Sequence, residues 1–133
     1  MTVAVAHQVS KTSRIALAEA AREAVMRQTD LAVLHVVESL DLDIAAANRS
    51  GISDEVERVL ADARLDVSWE LYLATGEENV ASALLSLVDD VRAEVLVIGA
   101  RRRSPVGKFL LGSVTQTLIL QAEVPVLVVK DKA

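Results

Sequence analysis

The chain has 133 residues, 52% of them apolar but only 2% aromatic, and a formal net charge of −5. That length suits one domain, residues 1–133, with a sizeable core, and the composition makes that core aliphatic. The absence of cysteine and the presence of only two histidines argue against a disulfide framework, a zinc knuckle and a structural metal site.

The acidic balance, with Trp69, Tyr72 and Phe109 as the aromatic residues, provides neither a basic face for a duplex nor a stacking platform for single strands. No nucleic-acid partner is expected. No apolar run approaches a membrane span. The stretch from Met1 to Ser10 lacks the basic region and long apolar run of a signal peptide. A cytoplasmic protein with no membrane partner is the expectation.

In chain order, Val3 to Ala6 is a short apolar run that reads as the first strand. From Thr12 or Ser13, either a fair N-cap, a helix is predicted to Arg27, with Ile15, Ala18, Ala21, Ala24 and Val25 at helical spacing. Leu31 to Val37 is a second continuous apolar strand. Asp41 to Ser50 lacks clear periodicity, and Asn48 to Gly51 reads as loop. Ser53 is predicted to open the second helix, with Glu55 in its first turn and Val56, Val59, Leu60 and Ala63 on one face.

Val67 to Leu73 alternates as a strand with one side more exposed, and Thr75-Gly76 ends it. A third helix is predicted from about Glu77 to Val91, with Asp89 and Asp90 on a solvated face near its end. Glu94 to Ile98 is a buried strand running into Gly99, Ala100 to Leu111 a basic loop, Gly112 to Ala122 the last helix and Val124 to Val129 the last strand. Strict strand–helix alternation with right-handed crossovers predicts an α/β fold: a doubly wound, open, parallel five-stranded sheet of Rossmann-like kind, with helices on both faces. Ligands bind such sheets beyond the carboxyl ends of the strands, where the winding reverses.

The segment after the fourth strand is where chemistry is expected. Gly99 ends that strand, Arg101, Arg102, Arg103 and Lys108 concentrate positive charge in an acidic protein, and Gly112-Ser113 opens a helix. A helix start offers free amide donors and a positive dipole end to a phosphate, and Ser113 and Thr115 add hydroxyls. The same residues admit a plainer reading as a strand-end turn, an ordinary cap and a solvated loop. A P-loop is excluded, because Phe109 follows Gly107-Lys108 and no glycine stands at the required earlier spacing.

His7 lies where the first strand empties into the cleft, within reach of a ligand, but a neutral loop histidine without a role is the simpler expectation. His35 is expected as a hydrogen-bonded core or helix-contacting histidine. Neither has a sequence neighbour suggesting a triad or a metal pair, so no catalytic and no metal-binding residue is assigned. Asp41 and Asp43, in the irregular segment, could bind a cation, but solvating that segment is the simpler expectation. A receiver domain is excluded, since His7-Gln8 replaces the acidic pair and Ala74-Thr75-Gly76 the phospho-acceptor; only Lys130 survives.

The whole chain resembles the universal stress protein family. The resemblance rests on Ser10 with the Ile15-Ala16-Leu17 run, on Leu34-His-Val-Val37, on Val95-Leu-Val-Ile-Gly99, and on Leu110 to Thr115 leading to Val124-Pro-Val-Leu-Val-Val129. It implies a strand order of 3-2-1-4-5. ATP-binding members carry Gly, two residues, Gly, nine residues, then Gly and a small hydroxyl residue; Gly99 and Gly112-Ser113 match, while Arg102 stands at the middle glycine. Gln8 stands where binders tend to carry an aspartate, Val36 matches the residue beside the adenine, and Ile98 precedes the first glycine.

The resemblance therefore implies an adenine-nucleotide site, for ATP or a relative with or without Mg2+, formed by Gln8, Val36, Ile98, Gly99, Arg101, Arg102, Gly112, Ser113, Val114 and Thr115. The role expected is regulatory in a stress response. The alternatives are a dimeric interaction protein that binds no nucleotide, its arginines meeting an acidic protein partner, and more distantly a slow ATPase. An apolar last strand at the sheet edge implies a homodimer through Val124 to Val129.

Overall fold

A computed structural model describes residues 2–8, 11–37, 42–76, 79–102, 109–110 and 112–131, with the side chains of Lys11, Leu42, Arg101, Arg102, Phe109 and Leu110 outside the description. The elements run β1 (Thr2–Ala6), α1 (Lys11–Met26), β2 (Asp30–Val37), α2 (Leu42–Ala63), β3 (Trp69–Thr75), α3 (Val80–Asp90), β4 (Ala93–Arg102), β5 (Phe109–Leu110), α4 (Ser113–Gln121) and β6 (Val126–Lys130).

The strands are aliphatic because both their faces are covered. Side chains alternate across a strand, so Val3 and Val5 of β1 join one buried cluster and Ala4 the other. The first cluster takes Leu31 and Val33 of β2 and Val95 and Val97 of β4 against Ala16, Leu17, Ala20 and Ala21 of α1 and Ile52, Val56 and Leu60 of α2. The second takes Leu34, Leu96 and Ile98 against Leu84, Leu87 and Val88 of α3 and Leu118 of α4. Alanines on α1, fully buried, let that helix approach the sheet closely. Two apolar layers account for a core with so few aromatic rings.

The parallel pairs are β1–β2, β2–β3, β1–β4 and β4–β6. The order β3-β2-β1-β4-β6 is the doubly wound 3-2-1-4-5 arrangement expected, counting parallel strands alone. The winding reverses between β1 and β4, whose carboxyl ends open the crevice. Three helices are followed by a left-handed residue, Gln28, Arg64 and Arg92 at φ 55°, 56° and 53°; at the first two, Thr29 N–H donates to Ala24 O at 3.0 Å and Leu65 N–H to Leu60 O at 3.0 Å. These are six-to-one closures that satisfy the last carbonyls and release the chain toward the next strand.

Three local expectations are corrected. The segment from Leu42 to Gly51, read as irregular with Asn48 to Gly51 as loop, is the first half of the 22-residue α2, so Ser53 lies inside the helix rather than at its start. Asp43 in the first turn and the Ala45–Ala47 run, the best helix former repeated, outweigh the loop-like residues after them. Ala100 to Arg102, read as basic loop, continue β4, and Arg101 and Arg102 pair antiparallel with Leu110 and Phe109. Arg102 thus has strand backbone, which an arginine adopts without strain. The last strand begins at Val126, since Pro125 lacks an amide for the ladder, although its carbonyl accepts from Leu96 N–H at 2.9 Å. Asp41, Glu77, Arg103 and Lys108 lie outside the described residues.

Candidate functional site: a cleft at the carboxyl ends of β1, β2 and β4

A cavity of about 480 Å³ opens at the reversal point, within the range that holds small ligands. β1 delivers Ala6, His7 and Gln8, β2 His35 and Val36, and β4 Ile98 and Gly99. α1 adds Thr12 and Ser13, α3 Val80 and Leu84, and α4 Gly112 to Thr115 with Leu118. Of the residues assigned from sequence, Gln8, Val36, Ile98, Gly99, Gly112, Ser113, Val114 and Thr115 thus come together around one space. The side chains of Arg101 and Arg102 lie outside the described residues.

The helix starts at this end are finished differently. At α3, the side chain of Asn79 accepts from Ser82 N–H at 3.1 Å, an ordinary cap. At α4 the N-cap is Gly112, and among the described residues no side chain caps the helix. The first-turn amides of α4 have no acceptor within their own helix, and the residues around them, Gly112, Ser113, Val114 and Thr115, line the cavity. Thr117 Oγ1 turns back to donate to Ser113 O at 2.9 Å. An uncapped, exposed helix start is what an anion requires.

The two glycines matched to the family pattern do different jobs. A Cβ on Gly99 would lie 2.7 Å from Thr12 Cγ2 and 3.0 Å from Thr12 O, so this glycine lets the start of α1 seat against β4. A Cβ on Gly112 would meet nothing within 4 Å, and its φ of −65° suits any residue. Packing explains the first glycine and leaves the second unexplained.

Sequence reasoning missed a cluster of titratable groups, two of which, His7 and His35, line the cavity. His7, expected as a loop histidine without a role, is only 3% exposed. Its Nε2 lies 3.2 Å from Glu55 Oε1 of α2, and its Nδ1 lies 3.2 Å from His35 Nδ1. His35 Nδ1 is also 3.0 Å from His7 O. The expectation of a hydrogen-bonded His35 holds, though the side chain is half-buried. Burial pushes the His7 imidazole below its ordinary value, and the Glu55 hydrogen bond opposes that only in part.

Among the described residues, no group of three or more His, Cys, Asp or Glu side chains is arranged to hold a metal ion. Nor is any described helix long and apolar enough to cross a membrane.

Comparison with known proteins agrees with this architecture. The universal stress protein family model matches residues 1–130. A universal stress protein of Mycolicibacterium smegmatis is 38% identical over 128 residues, covering 96% of each chain. The structure of the universal stress protein from Archaeoglobus fulgidus in complex with dAMP superimposes with a TM-score of 0.72 at 25% identity, covering 98% of both chains. A universal stress protein in complex with cAMP superimposes with a TM-score of 0.74 at 25% identity, covering 98% of this chain and 96% of the other. On fold, strand order and sequence alike, the chain belongs to the universal stress protein family.

Proposed function

We propose that the protein binds an adenine nucleotide in this cleft and acts as a regulatory stress-response domain rather than as a catalyst. The observation that carries the reading is the uncapped start of α4, with Gly112 unclaimed by packing, facing a cavity of nucleotide size. The relatives bound to dAMP and cAMP support the ligand class. The phosphates sit at the amides of Ser113, Val114 and Thr115, and the Ser113 and Thr115 hydroxyls add donors. The adenosine lies toward Gln8, Val36 and Ile98, with Gln8 supplying a neutral hydrogen-bonding group. ATP with Mg2+ is one form the ligand takes. Mass spectrometry of denatured protein is expected to detect co-purified nucleotide, and calorimetry to give saturable binding of AMP, cAMP or ATP. Absence of both overturns the reading in favour of an interaction protein that binds no nucleotide.

The protein is further proposed to form a homodimer through its last strand. β6 pairs with β4 on one side, and among the described residues no strand covers its other edge. Leu127 is 37% exposed there, and Ile119 and Leu120 of the preceding helix are exposed as well. An apolar edge of this kind invites pairing with a second copy. Sedimentation is expected to give a dimer at micromolar concentration and a shift to monomer in Leu127→Lys; a wild-type monomer overturns the proposal.

A further inference from the structure

We infer that His35 is the specificity-determining residue of the cleft, its Nε2 accepting a hydrogen bond from an O–H or N–H donor of the bound nucleoside. The inference rests on the nucleotide reading above. It follows from the only pair of neutral tautomers that satisfies the three contacts at the two histidines.

A carbonyl oxygen cannot donate, so the 3.0 Å contact between His35 Nδ1 and His7 O requires a proton on His35 Nδ1. That proton also faces His7 Nδ1 at 3.2 Å, which must then be the bare, accepting nitrogen. The proton of neutral His7 is thereby placed on Nε2, where the Glu55 carboxylate accepts it at 3.2 Å. Glu55 thus fixes the tautomer of His7, and His7 fixes that of His35. A second proton on His7 would set two N–H groups against each other at 3.2 Å, so His7 is locked neutral, as its burial also favours.

His35 is different. Its Nδ1 is committed, it lines the cavity, and its Nε2 makes no hydrogen bond among the described residues. In this tautomer the nitrogen is an acceptor, on a residue that shares the cavity wall with Val36, assigned above to the nucleoside end. The titratable groups acting on His7 are Glu55 of α2 and His35 of β2. The other elements lining the cavity bring uncharged groups: Thr12 and Ser13 from α1, Val80 and Leu84 from α3, Ser113 and Thr115 from α4.

The probe is cAMP, whose donors are one ribose hydroxyl and the exocyclic amine. Calorimetry is expected to show His35→Gln, which keeps a carbonyl acceptor near the same place, binding close to wild type. His35→Phe, which offers no acceptor, is expected to bind about tenfold more weakly, the scale of one hydrogen bond lost against a donor.

2′-Deoxy-cAMP binding wild type and His35→Phe equally assigns the donor to the ribose hydroxyl, and the analogue without the 6-amino group doing so assigns it to the amine. A His35→Phe deficit kept by both analogues, or wild-type affinity in His35→Phe, overturns the inference while leaving nucleotide binding intact. No cAMP binding to the wild type overturns both. Nitrogen-15 spectra of ligand-free protein test the tautomers separately: His35 protonated on Nδ1 and His7 on Nε2 is expected, and the reverse assignment overturns the inference.

Discussion

Leucine at position 112 is expected to cost at least about a hundredfold in nucleotide affinity while leaving the denaturation midpoint in place. Gly112 has extended backbone at φ −65° and ψ 166°, and a Cβ there touches nothing within 4 Å, so the fold accepts a larger residue. The added side chain grows from a residue lining the cavity, in front of the amides assigned to the phosphates. Charge-assisted hydrogen bonds contribute about 1.5–3 kcal/mol each. Losing two of them at about 1.4 kcal/mol per tenfold gives at least that hundredfold. Calorimetry with AMP, alongside urea unfolding of the same sample, reads both quantities. Unchanged affinity would place the ligand elsewhere.

Valine at position 99 is expected to do the opposite kind of damage. Its Cβ would stand 2.7 Å from Thr12 Cγ2 and 3.0 Å from Thr12 O. A methyl group can rotate away, but a backbone oxygen at the start of α1 moves only with the helix. Overpacking of this sort costs roughly 1–3 kcal/mol, and the backbone contact puts Gly99→Val toward the upper part of that range. The urea midpoint is expected to fall at unchanged m-value. Adding Thr12→Ser relieves the methyl contact but not the carbonyl one, so it should restore only part of the loss. A midpoint equal to wild type would show that α1 yields freely and that packing does not require this glycine.

The contrast bears on what the sequence made legible. Both glycines match one spacing pattern, and nothing in the string separates a glycine needed by a neighbouring helix from one left open. That distinction exists only in the approach of Thr12 to β4. The strands were easy to find because burial on both faces makes them continuous aliphatic runs, as in Leu31 to Leu34 and Val95 to Ile98. The first half of α2 was hidden for the converse reason. Asp43, Ile44, Ala46, Ala47, Arg49, Ser50 and Gly51 are all exposed, so no apolar stripe betrays the helical period. Propensity was the remaining signal, and Asn48 to Gly51 spoke against it.

The Glu55–His7–His35 chain was out of reach of local pattern, its members lying on α2, after β1 and on β2. A clue did exist. Ile52, Val56 and Leu60 mark the buried stripe of α2, and Glu55 falls three residues after Ile52, beside that stripe rather than opposite it. A carboxylate at such a place needs a partner inside. Reading Glu55 only as a favourable first-turn charge concealed that need, because the true first turn lies some ten residues earlier, at Leu42.

Trp69 is the single indole in the chain and opens β3. It therefore sits at the amino edge of the sheet, half-buried against Leu71 and the aliphatic layer under α2. A seven-residue strand spans roughly 20 Å, and the cleft lies beyond its far end. Intrinsic emission from this chain will register the melting of the sheet faithfully and stay nearly silent when a small molecule enters. A flat fluorescence titration would thus say nothing against binding, and heat or mass must be the signal instead.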